Sequence, residues 1–105
     1  MTLKELKKIL DSTGYPVAYS HFNEYKKTPY ITYLVSDSPN YFADNIAYKK
    51  IDSVQIELYT DKKDLDAEGN LEKILDDNDI CYTSSETYID SQELFLKIYE
   101  TEMIK

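Results

Sequence analysis

The hydrophobic residues of this chain change their spacing along its length, between a helical period and the period of two that strands need. Helical spacing occupies the first residues and the segment that follows Asp61, and alternating segments lie between and after them. Strands grouped in this way around two helices are typical of an α+β protein.

The first helix has clear signals at both ends. Thr2 and Glu5 form a capping box, in which the hydroxyl of Thr2 accepts from the amide of Glu5 and the Glu5 carboxylate reaches back to the amide of Thr2. A stripe at helical spacing follows, made of Leu3, Leu6, Ile9 and Leu10. Gly14 supplies a left-handed stop, so the helix is predicted to end near Thr13.

Alternating or β-branched segments predict strands in residues 17–20, 30–35, 48–59 and 94–99, and one strand or two in residues 80–83 and 87–89. In the longest of them Val54, Ile56 and Leu58 share one face. The connections among the first three strands are mostly loops, which favours antiparallel pairing. We therefore expect a single domain over residues 1–105, with a largely antiparallel twisted sheet of four to five strands and two helices on one face. The expected order is α-β-β-β-α-β-β.

The second helix is predicted from an N-cap at Asp61 through Asp77, with a hydrophobic stripe of Leu65, Leu71, Ile74 and Leu75. Its start also resembles a calcium loop, because Asp64, Asp66 and Glu68 precede Gly69 at the right spacing. The twelfth position, which should be a bidentate glutamate, is Leu75. An acidic first helical turn explains the segment better.

Composition excludes several classes of function. The net charge is -8, and the twelve basic residues are all lysines. A chain without arginine lacks the usual reader of phosphates and base edges, so sequence-specific nucleic-acid binding is not expected. No apolar run is long enough to span a membrane, and the start lacks the apolar core of a signal peptide, which predicts a cytoplasmic protein. Cys81 is the only cysteine, so neither an internal disulfide nor a thiolate metal site is expected.

Catalytic signatures are weak. His21 is the only histidine, no serine lies in a nucleophile-elbow motif, and the two glycines form no phosphate loop. Adjacent acids such as Asp76 and Asp77 point in different directions on a helix. The sequence predicts a protein that is not an enzyme and needs no cofactor.

Eleven tyrosines and three phenylalanines stand out in a chain of this size. They fit either an AT-rich genome or a protein interface, where tyrosine is enriched. The interface candidates are Tyr25, Tyr41, Phe42, Tyr59 and Tyr99.

Five segments of the chain resemble a known family. They are Pro16 to Phe22, Pro29 to Tyr33, Val54 to Asp64, Leu71 to Leu75 and Glu86 to Asp90. Together they look like the tail terminator, or tail-completion, proteins of long-tailed phages and prophages of low-GC Gram-positive bacteria. The matching residues are scaffold residues, not a catalytic signature.

The resemblance implies an α+β subunit that forms a hexameric ring, although the free chain can be a monomer. Such a ring caps the tail tube and meets two further partners, the major tail tube protein and the head completion or connector protein. The protein would be made in the host cytoplasm and end at the head-tail junction of the virion. DNA must pass the ring without binding, and a lumen lined by acids such as Asp64, Asp66, Glu68 and Glu72 would repel it.

Three other functions stay open. One is a head-tail connector or stopper protein, which belongs to the same assembly. Another is an acidic inhibitor that mimics DNA and blocks a host defence protein, for which charge in paired rows is expected. The third is a small hydrolase that uses His21.

Overall fold

Two helices and seven strands make up the part of the chain described by the computed structural model. The description covers residues 2–38, 41–43, 46–49 and 51–104, and for residues 41–43, 46–49 and 104 it is limited to the backbone. The elements are α1 (Leu3–Asp11), β1 (Val17–Tyr19), β2 (Tyr30–Asp37), β3 (Tyr41–Ala43), β4 (Ile46–Lys49), β5 (Ile51–Thr60), α2 (Leu65–Asp77), β6 (Thr83–Ile89) and β7 (Leu94–Ile104). Within these residues, neither helix is long and apolar enough to cross a membrane.

Five of the strands form the main sheet, in the order β1-β2-β5-β7-β6. All neighbours in it are antiparallel except β1 and β2. Counted along the chain, this sheet has three strands before α2 and two after it, so the predicted α+β class and element order are confirmed. The remaining strands, β3 and β4, pair with each other in a separate two-stranded sheet. The sequence did not predict that hairpin.

The parallel pairing of β1 and β2 is an exception to the expectation for the first three strands. Between two parallel strands the chain must return to the end of the sheet at which the first strand began, which usually takes about a dozen residues. Residues 20–29 are nearly long enough to do so without a helix. The amide of Ile31 donates to the carbonyl of Pro16 at 2.8 Å, and the amide of Ser20 donates to that of Tyr33 at 2.8 Å.

The start of α1 follows the predicted capping box in part. The amide of Glu5 donates to the hydroxyl oxygen of Thr2 at 3.1 Å, but the Glu5 carboxylate accepts from that hydroxyl at 3.2 Å and not from the Thr2 amide. Gly14 has a φ of 85°, as expected for a left-handed stop. The helix itself ends at Asp11, two residues before the predicted end.

The predicted N-cap of α2 is wrong. Asp64, and not Asp61, caps the helix, because its carboxylate accepts from the amide of Ala67 at 3.0 Å. Leu65 is then the first helical residue and is 72% exposed, so it does not join the buried stripe. That stripe contains Ala67, Leu71 and Leu75.

The hydrophobic core lies between the two helices and one face of the main sheet. Leu6 and Leu10 of α1 and Leu71 and Leu75 of α2 are fully buried. They pack against sheet residues that share one face of β2, β5 and β7, which are Ile31, Tyr33, Val54, Ile56, Leu58 and Tyr99. Both helices therefore cover the same face of the sheet.

Candidate interaction surface

The face of the main sheet opposite the helices is called the open face below. Its central residues alternate with those of the core along β2, β5 and β7, and they are Tyr30, Thr32, Leu34, Gln55, Glu57, Tyr59, Leu94, Leu96 and Ile98. No helix of the described chain lies on this face. The mixture of polar, aromatic and aliphatic side chains differs from the apolar set under the helices. Such a mixture is typical of protein interfaces.

A buried carboxylate lies at the centre of the open face. Glu57 is 9% exposed, and its carboxylate accepts from the hydroxyl of Thr32 at 3.0 Å and from the side-chain amide of Gln55 at 3.3 Å. No lysine pairs with Glu57 in the described part of the chain. Because a buried charge is costly without hydrogen bonds, these neutral donors hold the carboxylate in place.

Aromatic rings cover one end of the open face. Tyr30 and Tyr59 are stacked with ring centroids 4.8 Å apart, and the ring of Phe22 meets Tyr30 edge-on at 5.6 Å. Burial raises the pKa of both tyrosine hydroxyls. The ammonium of Lys26 lies 5.8 Å from the centre of the Phe22 ring. The loop of residues 20–29 therefore shields this end of the face from solvent.

A shallow cleft of about 290 Å³ separates this loop from the sheet, and His21 lies in its wall. The side chain of His21 is exposed, and its Nδ1 atom is 3.2 Å from the hydroxyl of the adjacent Ser20. That is its one hydrogen bond within the described residues. A catalytic histidine usually has a partner that orients the ring, and within the described residues no carboxylate forms a hydrogen bond with the His21 ring. The described residues also contain no group of three metal ligands.

The edge strand β6 is an exposed part of the main sheet. It pairs with β7 on one side, and residues 83–88 are all exposed. Edge strands are commonly protected by lysine, proline or a bulge. β6 contains neither residue, and its pairing with β7 has no register shift. The sequence carried this signal as a polar, lysine-free run of strand formers, but we predicted only that strands lay there.

A larger groove of about 880 Å³ opens at the other end of the sheet. Its wall includes Cys81 together with the acids Asp37, Asp79, Glu100 and Glu102. Cys81 is exposed and has no disulfide. The sequence did not indicate this groove, because its wall comes from strands and loops that lie far apart along the chain.

The predicted interface tyrosines lie in different places. Tyr25 is 92% exposed in the loop after β1, and Tyr59 is half-buried on the open face. Tyr41 and Phe42 belong to β3, and their side chains lie outside the described residues.

The prediction for Tyr99 needs correction, because its ring is 0% exposed and packs in the core under the helices. The hydroxyl of Tyr99 donates to a Glu72 oxygen at 2.7 Å. Burial and this carboxylate raise the pKa of Tyr99 far above its usual value. In the folded chain the ring cannot reach a neighbouring subunit.

The four acids predicted to line a lumen do not form one exposed surface. Asp66 is exposed, but Asp64 caps α2 and Glu72 accepts from Tyr99. Glu68 is buried and accepts from Lys63 at 2.9 Å. The hydrogen bonds from Lys63 to Glu68 and Glu86 raise the pKa of that lysine to about 12.

A scan of protein-family models found no match for this chain, and no curated protein matches it significantly.

Proposed function

We propose that this protein is a structural subunit of a long-tailed phage or prophage that forms a ring on the end of the tail tube. The ring stops polymerisation of the tube and offers its far side to the head completion or connector protein. The observation that supports this role best is the one-sided fold: both helices cover one face of the main sheet, no helix of the described residues covers the opposite face, and residues 83–88 of β6 are exposed.

A ring requires each subunit to present two different surfaces, because every copy contacts one neighbour with one patch and the next neighbour with another. The candidate surfaces for these contacts are the open face and the two edge strands of the main sheet, β1 and β6. The half-buried side chains Leu34, Tyr59 and Ile98 lie on the open face beside the buried Glu57. Partly buried apolar and aromatic groups beside satisfied polar groups fit a contact that forms after folding.

We also propose that the protein catalyses no reaction. His21 is exposed, and within the described residues it is bonded through its side chain only to Ser20, the preceding residue. A catalytic triad would need His21 to act as the base, with hydrogen bonds to a nucleophile and to an orienting carboxylate. The described contacts of His21 do not form this arrangement. The hydrolase alternative would need a partner for His21 that the described contacts do not supply.

The charge of the chain fits a position near moving DNA. A net charge of -8 repels phosphates, whereas surface lysines would attract them. Of the predicted lumen residues, Asp66 is the exposed one, while Glu68 is neutralised by Lys63. We propose that exposed acids such as Asp66 and Asp76 keep DNA from binding to the ring.

The proposal is tested by deleting this gene from the phage or prophage that encodes it and imaging the particles by electron microscopy. The expected result is tails of abnormal length that lack heads, with rescue by a plasmid copy of the gene. A His21→Ala copy should rescue as well as the wild type if the protein does no chemistry. Normal virions from the deletion would contradict the proposal, and failure of His21→Ala alone would favour an enzyme.

The connector alternative gives a different image in the same experiment. Loss of a connector or stopper leaves tails of normal length beside heads that have released their DNA. Tail length therefore separates the two roles within one assembly.

A further inference from the structure

The two edges of the main sheet differ in length. β6 has seven residues and is exposed over residues 83–88, whereas β1 has three residues. An unprotected edge carries backbone amides and carbonyls that can pair with another strand. Because β6 lacks the usual protecting residues, it can accept a strand from a partner.

The two edges also differ in charge. Residues 76–93, which contain the end of α2, β6 and the turns on both sides of it, carry six acids and no lysine. Asp77 and Glu86 pair with Lys73 and Lys63, and the other four acids make no ion pair among the described residues. Residues 1–29, which contain α1, β1 and the following loop, carry five lysines and three acids, a net charge of +2. Two β6 edges would repel each other, while a β6 edge would attract the β1 side of another copy.

Strand direction is compatible with such a contact. β1 runs parallel to β2, and each of the next three pairings across the sheet reverses direction. β6 therefore runs opposite to β1. If a second copy continues the sheet in the same orientation, its β1 meets β6 as an antiparallel neighbour, which is the more stable type of pairing.

We infer that the β6 edge of one copy pairs with the β1 edge of the next copy, so that the main sheet continues from subunit to subunit. This head-to-tail contact is of the kind that closes a ring, and the inference rests on the self-association proposed above. The partner is a second copy of this chain.

Two tyrosines fit the same contact. Tyr19 of β1 is in register with Tyr33, and Tyr88 of β6 is in register with Phe95, which places both on the helix-covered side of the sheet. They are 47% and 45% exposed. In a continuous sheet these two side chains lie on the same side of the new seam. Their burial adds apolar area to a backbone pairing that the length of β1 limits to about three residues.

The first test exchanges the charges of the two edges. One variant carries Lys8→Glu and Lys27→Glu, and the other carries Asp90→Lys and Glu93→Lys. All four side chains are exposed and make no ion pair within the described chain. Light scattering at low salt should show roughly tenfold weaker self-association for each variant alone. An equal mixture of the two variants should recover assembly, because opposite charges then meet at every contact.

The second test blocks the β6 backbone. Amides alternate along an edge strand between the paired and the free side, so Ser84→Pro and Ser85→Pro affect different sides. The variant that breaks the pairing with β7 should lower the melting temperature. The other should keep the melting temperature of the wild type and lose self-association.

The outcomes separate this inference from the proposed function. If the wild-type chain assembles and all the edge variants assemble equally well, the edge contact is wrong while the ring proposal stands. If the wild-type chain stays monomeric at high concentration and low salt, the edge contact is also wrong. The deletion experiment then decides the ring proposal on its own.

Discussion

Neighbouring residues of β5 show how differently the two faces of the main sheet are completed. Ile56 is fully buried under the helices among apolar side chains. The adjacent Glu57 is buried on the open face, where its carboxylate accepts hydrogen bonds from Thr32 and Gln55. One face is packed within the chain as a hydrophobic core. On the other face, the loop of residues 20–29 covers one end, and no helix of the described residues packs there. The two faces should therefore respond differently to the loss of similar side chains.

The largest difference in stability is expected between alanine variants of two isoleucines on opposite faces of the sheet. Ile56→Ala removes a fully buried side chain from the core and should lower the free energy of unfolding by about 3 to 4 kcal/mol. Ile98→Ala removes a half-buried side chain from the open face and should cost about 1 kcal/mol. Urea denaturation of both variants measures the two values. Equal losses would show that the open face is packed as tightly as the core.

The fold was predictable because its local signals agree with the tertiary structure. The stripe of α1, Gly14 and the alternation of Val54, Ile56 and Leu58 each gave the observed element type. The N-cap of α2 was misplaced because Asp61 and Asp64 are equally good caps, and only the packing of Ala67 selects between them. The hairpin of β3 and β4 was missed because residues 41–47 were interpreted as a loop, and residues 48 and 49 as the start of the next strand.

The candidate surface was less predictable than the fold. Period two shows that Tyr99 lies on the face opposite Leu96 and Ile98, but not which of these faces the helices cover. Leu94, Leu96 and Ile98 share one side of β7, but Tyr99, on the other side, packs in the core under the helices. The hydroxyl of Tyr99 is satisfied there by Glu72, a partner from another element that sequence spacing does not reveal.

A smaller effect is expected for Tyr99→Phe. This change keeps the ring in the core and removes the hydrogen bond to Glu72, so it should cost about 1 to 2 kcal/mol at neutral pH. Thermal denaturation measures the loss. Tyr88→Phe, at an exposed tyrosine of β6, is the control and should leave the stability nearly unchanged.

Tyr99→Phe should also change how the stability of the folded chain depends on alkaline pH. Because the folded state raises the pKa of Tyr99 above the ordinary value of 10.0, the stabilising contribution is complete below pH 10 and is lost as the pH rises further. Burial also raises the pKa values of Tyr30, Tyr33 and Tyr59. The wild type should lose stability above pH 10, and Tyr99→Phe should lose less over the same range. Parallel pH profiles would contradict this assignment.

On the open face, Thr32→Val should cost about 1 kcal/mol. Valine keeps the shape of the buried side chain but cannot donate to the Glu57 carboxylate, which then loses its hydrogen bond of 3.0 Å. Chemical denaturation measures the change. Thr87→Val, at an exposed threonine in register with Leu96 on the same face, should have no measurable effect. An equal loss at both positions would mean that the effect does not come from Glu57.

The smallest effect is expected for Gln55→Ala, at about 0.5 kcal/mol or less. The hydrogen bond from Gln55 to Glu57 is long, at 3.3 Å, and Gln55 is half-buried, so water can replace the lost donor. Val54→Ala is the matched change on the helix-covered face of the same strand and should cost about 2 kcal/mol, because Val54 is almost fully buried. Denaturation of the two variants under the same conditions compares the faces at adjacent positions. If Gln55→Ala lowers the free energy of unfolding by more than about 1 kcal/mol, then Glu57 requires the hydrogen bonds from both Thr32 and Gln55. In that case water does not replace the lost donor, and the open face is closed to solvent in a single chain.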